Sequence, residues 1–132
     1  MLIGAMLAGK AFANSPVAAV HALAYPIGGT FHISHGLSNS LVLPYVLRFN
    51  TVEAKASKDY AELAPYVFPK IDINKGAQAV SAEFIDKLEG LSKRIGLPQR
   101  LREVDIPKEA CKKMASDAMK PVSYTHLRAH ET

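Results

Sequence analysis

The sequence predicts an all-α fold, and three observations carry that expectation. Apolar residues recur at helical spacing, most clearly Val80, Phe84, Leu88, Leu91 and Ile95, which lie three or four positions apart. Proline and glycine fall where helices would start and stop, as at Ser15-Pro16 and at Gly96-Leu97-Pro98. No stretch of useful length alternates apolar and polar residues with the period of two that a half-buried strand requires, and neither an internal repeat nor a glycine-rich phosphate loop is present.

Residues 2–13, LIGAMLAGKAFA, suit a helix whose small residues Gly4, Ala5, Ala8 and Gly9 would let another backbone approach closely. Ser15 offers an N-cap hydroxyl and Pro16 a first helical position, opening a helix through His21 and Tyr25. That helix is expected to end near Pro26-Ile27-Gly28-Gly29, where proline and glycine disfavour continuation. Thr30 to Gly36 then forms a loop, and Leu37 to Phe49 a buried helix bent at Pro44.

Farther along, Ser57 is placed to cap a short helix with Tyr60, Leu63 and Val67 on one face, stopped by Pro69. Ala77 to Ile95 is the clearest amphipathic helix, ended by Gly96 and Pro98. A last helix from Pro107 to Lys120 points Ala110, Met114 and Ala118 inward. Cys111 beside them is expected as a small buried hydrophobe and Met119 as gap-filling core. Lys93-Arg94, Arg100 and Arg102 are expected on a solvated face.

Charge is spread unevenly. Residues 1–47 carry one formally charged side chain, Lys10, and all other charges lie from Arg48 onward. The quiet segment is expected to be buried in protein. It does not suit a bilayer, because Lys10, Asn14, Ser15 and Pro16 interrupt the first apolar stretch and His21 the second. The apolar start, with Ala11-Phe12-Ala13 resembling a cleavage site, lacks the basic residues that open a secretory signal. The net charge of +4 comes from interspersed Lys, Arg, Asp and Glu without a basic stripe, which argues against a nucleic-acid partner. A single cysteine cannot close an internal disulfide, and a cytoplasmic location is expected. At 132 residues the chain suits one domain or part of one.

The stretch VHALAYPIGGTFHISHG holds His21, His32 and His35. A histidine on a helix and another on a returning loop can converge, and neutral imidazole is the commonest nitrogen donor to metals. Spacing alone favours a plainer explanation: His21 satisfied by a backbone carbonyl, with His32 and His35 in a wet loop. Two histidines so far apart are a weaker signal than a cysteine-pair zinc pattern.

The stretch from Gly9 to Asn50 resembles the signature region of the iron-containing (group III) alcohol dehydrogenase family. The shared positions are Gly9, Ala11, Phe12, Asn14, His21, Ala22, Gly28, His35, Gly36, Asn39, Leu43, Pro44, Val46, Phe49 and Asn50, at unbroken spacing. A looser likeness continues through KDYAELA and LSKRIGLPQRLREVDIPKE, covering roughly residues 1–120. The resemblance implies a helical bundle corresponding to the C-terminal metal-binding domain of a dehydroquinate synthase-like fold. It makes His21 and His35 metal ligands, with His35 also counted as cofactor-binding. The family's other two ligands, an aspartate and a histidine one helical turn apart, and its nucleotide-binding domain would lie upstream, so Met1 is expected to be an internal methionine or a truncated start.

Two positions depart from the family pattern. Tyr25 stands where much of the family has a second histidine close to the nicotinamide, and a phenol there can still donate or relay a proton, which makes Tyr25 the expected catalytic residue. Ser34 replaces the proline before His35, and His32 matches no ligand, so it is expected to line the pocket or face solvent.

The implied chemistry is hydride transfer between a small alcohol or aldehyde and NAD(P), with Fe2+ or Zn2+. A hydride leaves an alcohol carbon readily only when the oxygen bears negative charge, which a divalent cation favours. The parent enzyme would be a homo-oligomer, and the isolated chain inactive. Within the family the alternative is a hydroxyacid-oxoacid transhydrogenase, which Tyr25 favours. From another class comes a non-enzymatic helical protein with structural histidines, or one that binds a partner helix through residues 2–13. Residues 121–132, PVSYTHLRAHET, break the pattern and look like a non-native, disordered tail, so that His126 and His130 would carry no function.

Overall fold

The computed structural model describes residues 2–15 and 17–119. The expected tail over residues 121–132 lies outside them. Among the described residues six helices follow one another: α1 (Leu2–Asn14), α2 (Ala19–Phe31), α3 (His35–Asn50), α4 (Ala54–Val67), α5 (Ala77–Arg94) and α6 (Ala110–Ala118). Short 3-10 turns at Ile73–Lys75 and Leu101–Val104 flank α5. Among the described residues there are no strands, as the missing period-two pattern predicts, and no single helix is long and apolar enough to cross a membrane.

Two apolar clusters hold the bundle. In the first, Ala64, Ile71, Val80, Phe84 and Ile85 are buried between α4 and α5, and Leu47 of α3 packs against them. Phe84 meets Phe68 edge-on at 5.9 Å between ring centroids. The second gathers Ile27, Ile106 and Met114, joined by Phe31, Ile33 and Val42 and by Leu101 and Val104 of the second 3-10 turn. Here α2 and α3 pack on each other and α6 closes over α2. Helix α3 serves both clusters through Val42 and Leu47. Its Arg48 donates to Asp86 at 2.9 Å and to Glu89, tying α3 to α5. Both partners are substantially exposed, so each pair contributes at most about 1 kcal/mol and the apolar clusters carry the fold.

Several boundaries depart from the sequence expectation. Helix α2 begins at Ala19 instead of just after Ser15, and it runs through Pro26, Gly28 and Gly29 to Phe31. An interior proline removes one donor and costs roughly 3 kcal/mol in an isolated helix. Tertiary burial offsets this, because Ala24 and Ile27, which flank Pro26, are almost fully buried. Helix α3 starts at His35, so His35 is the first residue of a helix and not part of a loop. Pro44 lies inside α3 as expected, and buried. Ser57 does not cap α4, which begins three residues earlier. Its hydroxyl is buried, 3.0 Å from the Thr51 carbonyl and 2.9 Å from Gln78 Oε1, joining the start of α4 to α5.

The buried face of α4 is Ala64 with Tyr60 and Ala61, while Leu63 and Val67 are exposed. On α5 the apolar stripe is buried at Val80 and Phe84 and half-buried at Leu88, but Leu91 is exposed, as is Ile95 just beyond the helix. The last helix starts at Ala110 instead of Pro107. Met114 is core, whereas Cys111 and Met119 are exposed. Lys93, Arg94, Arg100 and Arg102 are exposed as expected.

The expectation that the low-charge segment is buried fails for α1. None of its residues is buried, and Leu2, Ile3, Met6, Leu7 and Phe12 are all exposed. Leu2, Ile3, Met6 and Leu7, at helical spacing, thus form an exposed apolar face of α1.

Candidate metal centre

The candidate centre is built by a reversal of the chain between α2 and α3. His32, the C-cap of α2, takes a left-handed conformation with φ 54° and ψ 29°, a region that L residues other than glycine adopt rarely. Ser34 follows in extended backbone with φ −57° and ψ 145°. The connection doubles back against α2 at Gly28, where a Cβ would stand 3.2 Å from the Ile33 carbonyl oxygen. Glycine eases this approach, because backbone lies against backbone and a Cβ would crowd it. The Ser38 hydroxyl, fully buried, donates to the Ser34 carbonyl at 3.0 Å and fixes the first turn of α3.

This path brings His35 back to the earlier turns of α2. The His21 and His35 ring centroids are 5.3 Å apart. Tyr25, one turn after His21, lies 6.4 Å from His21 and 6.2 Å from His35 by the same measure. Three of the residues singled out from the sequence therefore form one ring cluster. His32 stands outside it and faces solvent.

The electrostatics favour an available nitrogen lone pair. Burial, and next the positive charge that His35 can carry, hold the His21 pKa below its ordinary value of 6.5. That shift favours the neutral imidazole, the form that binds metals. His35 is exposed, and its Nε2 lies 3.0 Å from Asn39 Nδ2, one turn along α3. The Asn39 Oδ1 is buried without a partner. Asn39 enters the sequence pattern only as one of many shared positions; once His35 is placed on a helix, its i to i+4 spacing from His35 is the signal that pairs them.

The donor set suits a divalent cation in kind, and the ring separation is compatible with one. With nitrogen–metal distances of about 2.0–2.1 Å and each nitrogen roughly 1.2 Å from its ring centroid, two imidazoles on one tetrahedral cation have centroids about 5.2 Å apart. The observed 5.3 Å meets that condition. Among the described residues no group of three or more His, Cys, Asp or Glu side chains gathers around a common point. The His21–His35 ring pair could therefore hold a cation only together with further donors.

Comparison with known proteins identifies the family to which the chain belongs. A model of the Fe-containing alcohol dehydrogenase family, C-terminal, matches residues 1–131. The chain is 37% identical over 119 residues to a long-chain-alcohol dehydrogenase 1 of Geobacillus thermodenitrificans, covering 90% of this chain and 29% of that protein. To a 1,3-propanediol dehydrogenase of Citrobacter freundii it is 33% identical over 120 residues, covering 91% of this chain and 30% of the other. The solved structure of an alcohol dehydrogenase from Oenococcus oeni superposes with a TM-score of 0.81 at 29% identity, over 89% of this chain and 30% of that one. The chain spans about 30% of the length of these relatives. By sequence and by fold alike, it belongs to the iron-containing alcohol dehydrogenase family, of which it represents the C-terminal helical region.

Proposed function

We propose that this chain forms the metal-binding helical part of an oxidoreductase that moves a hydride between a small alcohol or aldehyde and NAD(P). His21 and His35 act as two of the ligands of Fe2+ or Zn2+, and Tyr25 as the proton-handling residue. The observation that carries this reading is the convergence of the His21 and His35 rings, 5.3 Å apart by centroid, with Tyr25 beside both. The names of the relatives, a long-chain-alcohol and a 1,3-propanediol dehydrogenase, support an alcohol substrate.

When bound, a divalent cation supplies the positive charge that favours the negative oxygen from which hydride transfer starts. The chain's own residues do the rest of what this part contributes. His21, half-buried, offers a neutral donor nitrogen from a rigid helix turn. His35 offers the second from the first residue of α3, held there by the reversal at Gly28. Tyr25 lies beside both rings, where its phenolic Oη can give or accept one proton.

The nicotinamide cofactor is held mainly by a nucleotide-binding part outside these residues, so the isolated chain binds cations weakly and turns over no alcohol. The enzyme works in the cytoplasm as a homo-oligomer. A hydroxyacid-oxoacid transhydrogenase is the second reading, favoured by Tyr25 in place of the family's second histidine. Zn2+ titration of the chain followed by histidine NMR signals tests the ligand assignment. Binding should be lost in His21→Ala and in His35→Ala but kept in His32→Ala, and unchanged binding in both of the first two variants would defeat it.

A further inference from the structure

A serine inside a helix commonly turns its hydroxyl onto a carbonyl one turn back in the same helix. Buried Ser81 does so within α5, donating to the Gln78 carbonyl at 3.0 Å. Ser38, equally buried on α3, reaches out of its helix instead. Its hydroxyl donates to the Ser34 carbonyl at 3.0 Å, with the Ile33 carbonyl next at 3.4 Å, and both residues precede α3. The Ser34 carbonyl also accepts the Ser38 backbone N–H at 2.9 Å. One residue thus closes two bonds on the strut that joins α2 to α3. The same hydroxyl oxygen lies 3.7 Å from the place a Cβ on Gly28 would take, so it also faces the turn of α2 that the strut crosses.

We infer that Ser38 is a positioning residue for the His21–His35 pair: its hydroxyl holds Ser34 in the conformation from which α3 departs, and so aims His35 back at His21. The purpose rests on the proposed cation role of the pair, but the placement itself needs no cation. His35 follows Ser34 directly and is exposed, so any rotation about the Ser34 backbone swings its ring away from His21. Ser34 has φ −57°, inside the range of about −65 ± 15° that proline imposes. Proline at this position would therefore stiffen the strut without a hydroxyl.

That equivalence supplies the test. In the metal-free chain the His21 and His35 ring protons, with centroids 5.3 Å apart, are expected to exchange a nuclear Overhauser effect. Ser38→Ala removes only the hydroxyl, and the effect should fall to about half, since one buried hydrogen bond is worth up to roughly tenfold in an equilibrium. The double variant Ser34→Pro/Ser38→Ala should regain the wild-type intensity, and Ser34→Pro alone should keep it. A hydroxyl that served stability alone would lower the urea midpoint and leave the effect in the folded protein unchanged. Absence of the effect in the wild type, full intensity in Ser38→Ala, or no recovery in the double variant overturns the inference. Should Ser38→Ala not fold, the double variant decides, because proline also stabilises by restricting the unfolded chain. Adding Zn2+ to the wild type separates this inference from the proposed function. A ring-to-ring effect without joint shifts at both histidines counts against the cation site and leaves the role of Ser38 standing, whereas joint shifts with no loss in Ser38→Ala count against Ser38 alone.

Discussion

Replacing Gly28 by alanine probes the reversal that returns His35 to His21. The new Cβ would stand 3.2 Å from the Ile33 carbonyl oxygen and 3.7 Å from Ser38 Oγ. The nearer neighbour is backbone, so the connection must yield by a few tenths of an ångström. Crowding of this kind typically costs about 1–3 kcal/mol. Against it stands the gain of about 1 kcal/mol when alanine replaces glycine inside a helix, leaving a net loss near 1 kcal/mol. Gly29 provides the control. It is also inside α2, but it is exposed and a Cβ there meets nothing within 4 Å, so Gly29→Ala should stabilise by about 0.5–1 kcal/mol. Urea unfolding followed by circular dichroism gives both values at a common slope. The two variants are expected to move in opposite directions. A Gly28→Ala protein stabilised as much as Gly29→Ala would refute the close approach and, with it, this account of how His35 is placed.

Other outcomes follow from burial and charge. Ile85, 1% exposed in the α4–α5 cluster, should cost about 2–5 kcal/mol when changed to alanine; a loss below about 1 kcal/mol in the same urea assay would show that this cluster does not form in solution. His21 predicts an acid sensitivity. Because its folded pKa lies below 6.5, the unfolded chain takes up a proton there before the folded one does. The stabilisation is complete above about pH 6.5 and is lost as the pH falls through the lowered folded value. His21→Gln should flatten that part of the stability profile, and identical profiles for the two proteins would show that the half-buried ring is not linked to folding.

Helix content was legible because local patterning and burial agree over α5, where Val80, Phe84 and Leu88 fall on the face that packs. It was less legible in α2, where local chemistry and tertiary packing conflict. Pro26, Gly28 and Gly29 each disfavour a helix locally, yet burial of Ala24 and Ile27 and the apposition of α3 keep the helix intact to Phe31. Placing the end of α2 too early left His35 in a loop and hid its pairing with Asn39. Ser57 misled for a related reason, since its hydroxyl serves a buried link to Thr51 and Gln78 and not a helix end. The approach of His21, Tyr25 and His35 was expected from the family likeness, but its physical cause, a chain reversal packed against a glycine, is visible only in three dimensions.

The two imidazoles are also near neighbours along the chain, fourteen positions apart. Joining them closes a short loop, and loop-closure entropy grows only slowly with length, so a bridge here restricts the unfolded chain modestly. Stabilisation by a bound ion would then come from its preference for the folded pair and would scale with the logarithm of free ion concentration. Such an ion would brace one corner of the bundle, while the α4–α5 pair would owe its persistence chiefly to its own apolar cluster.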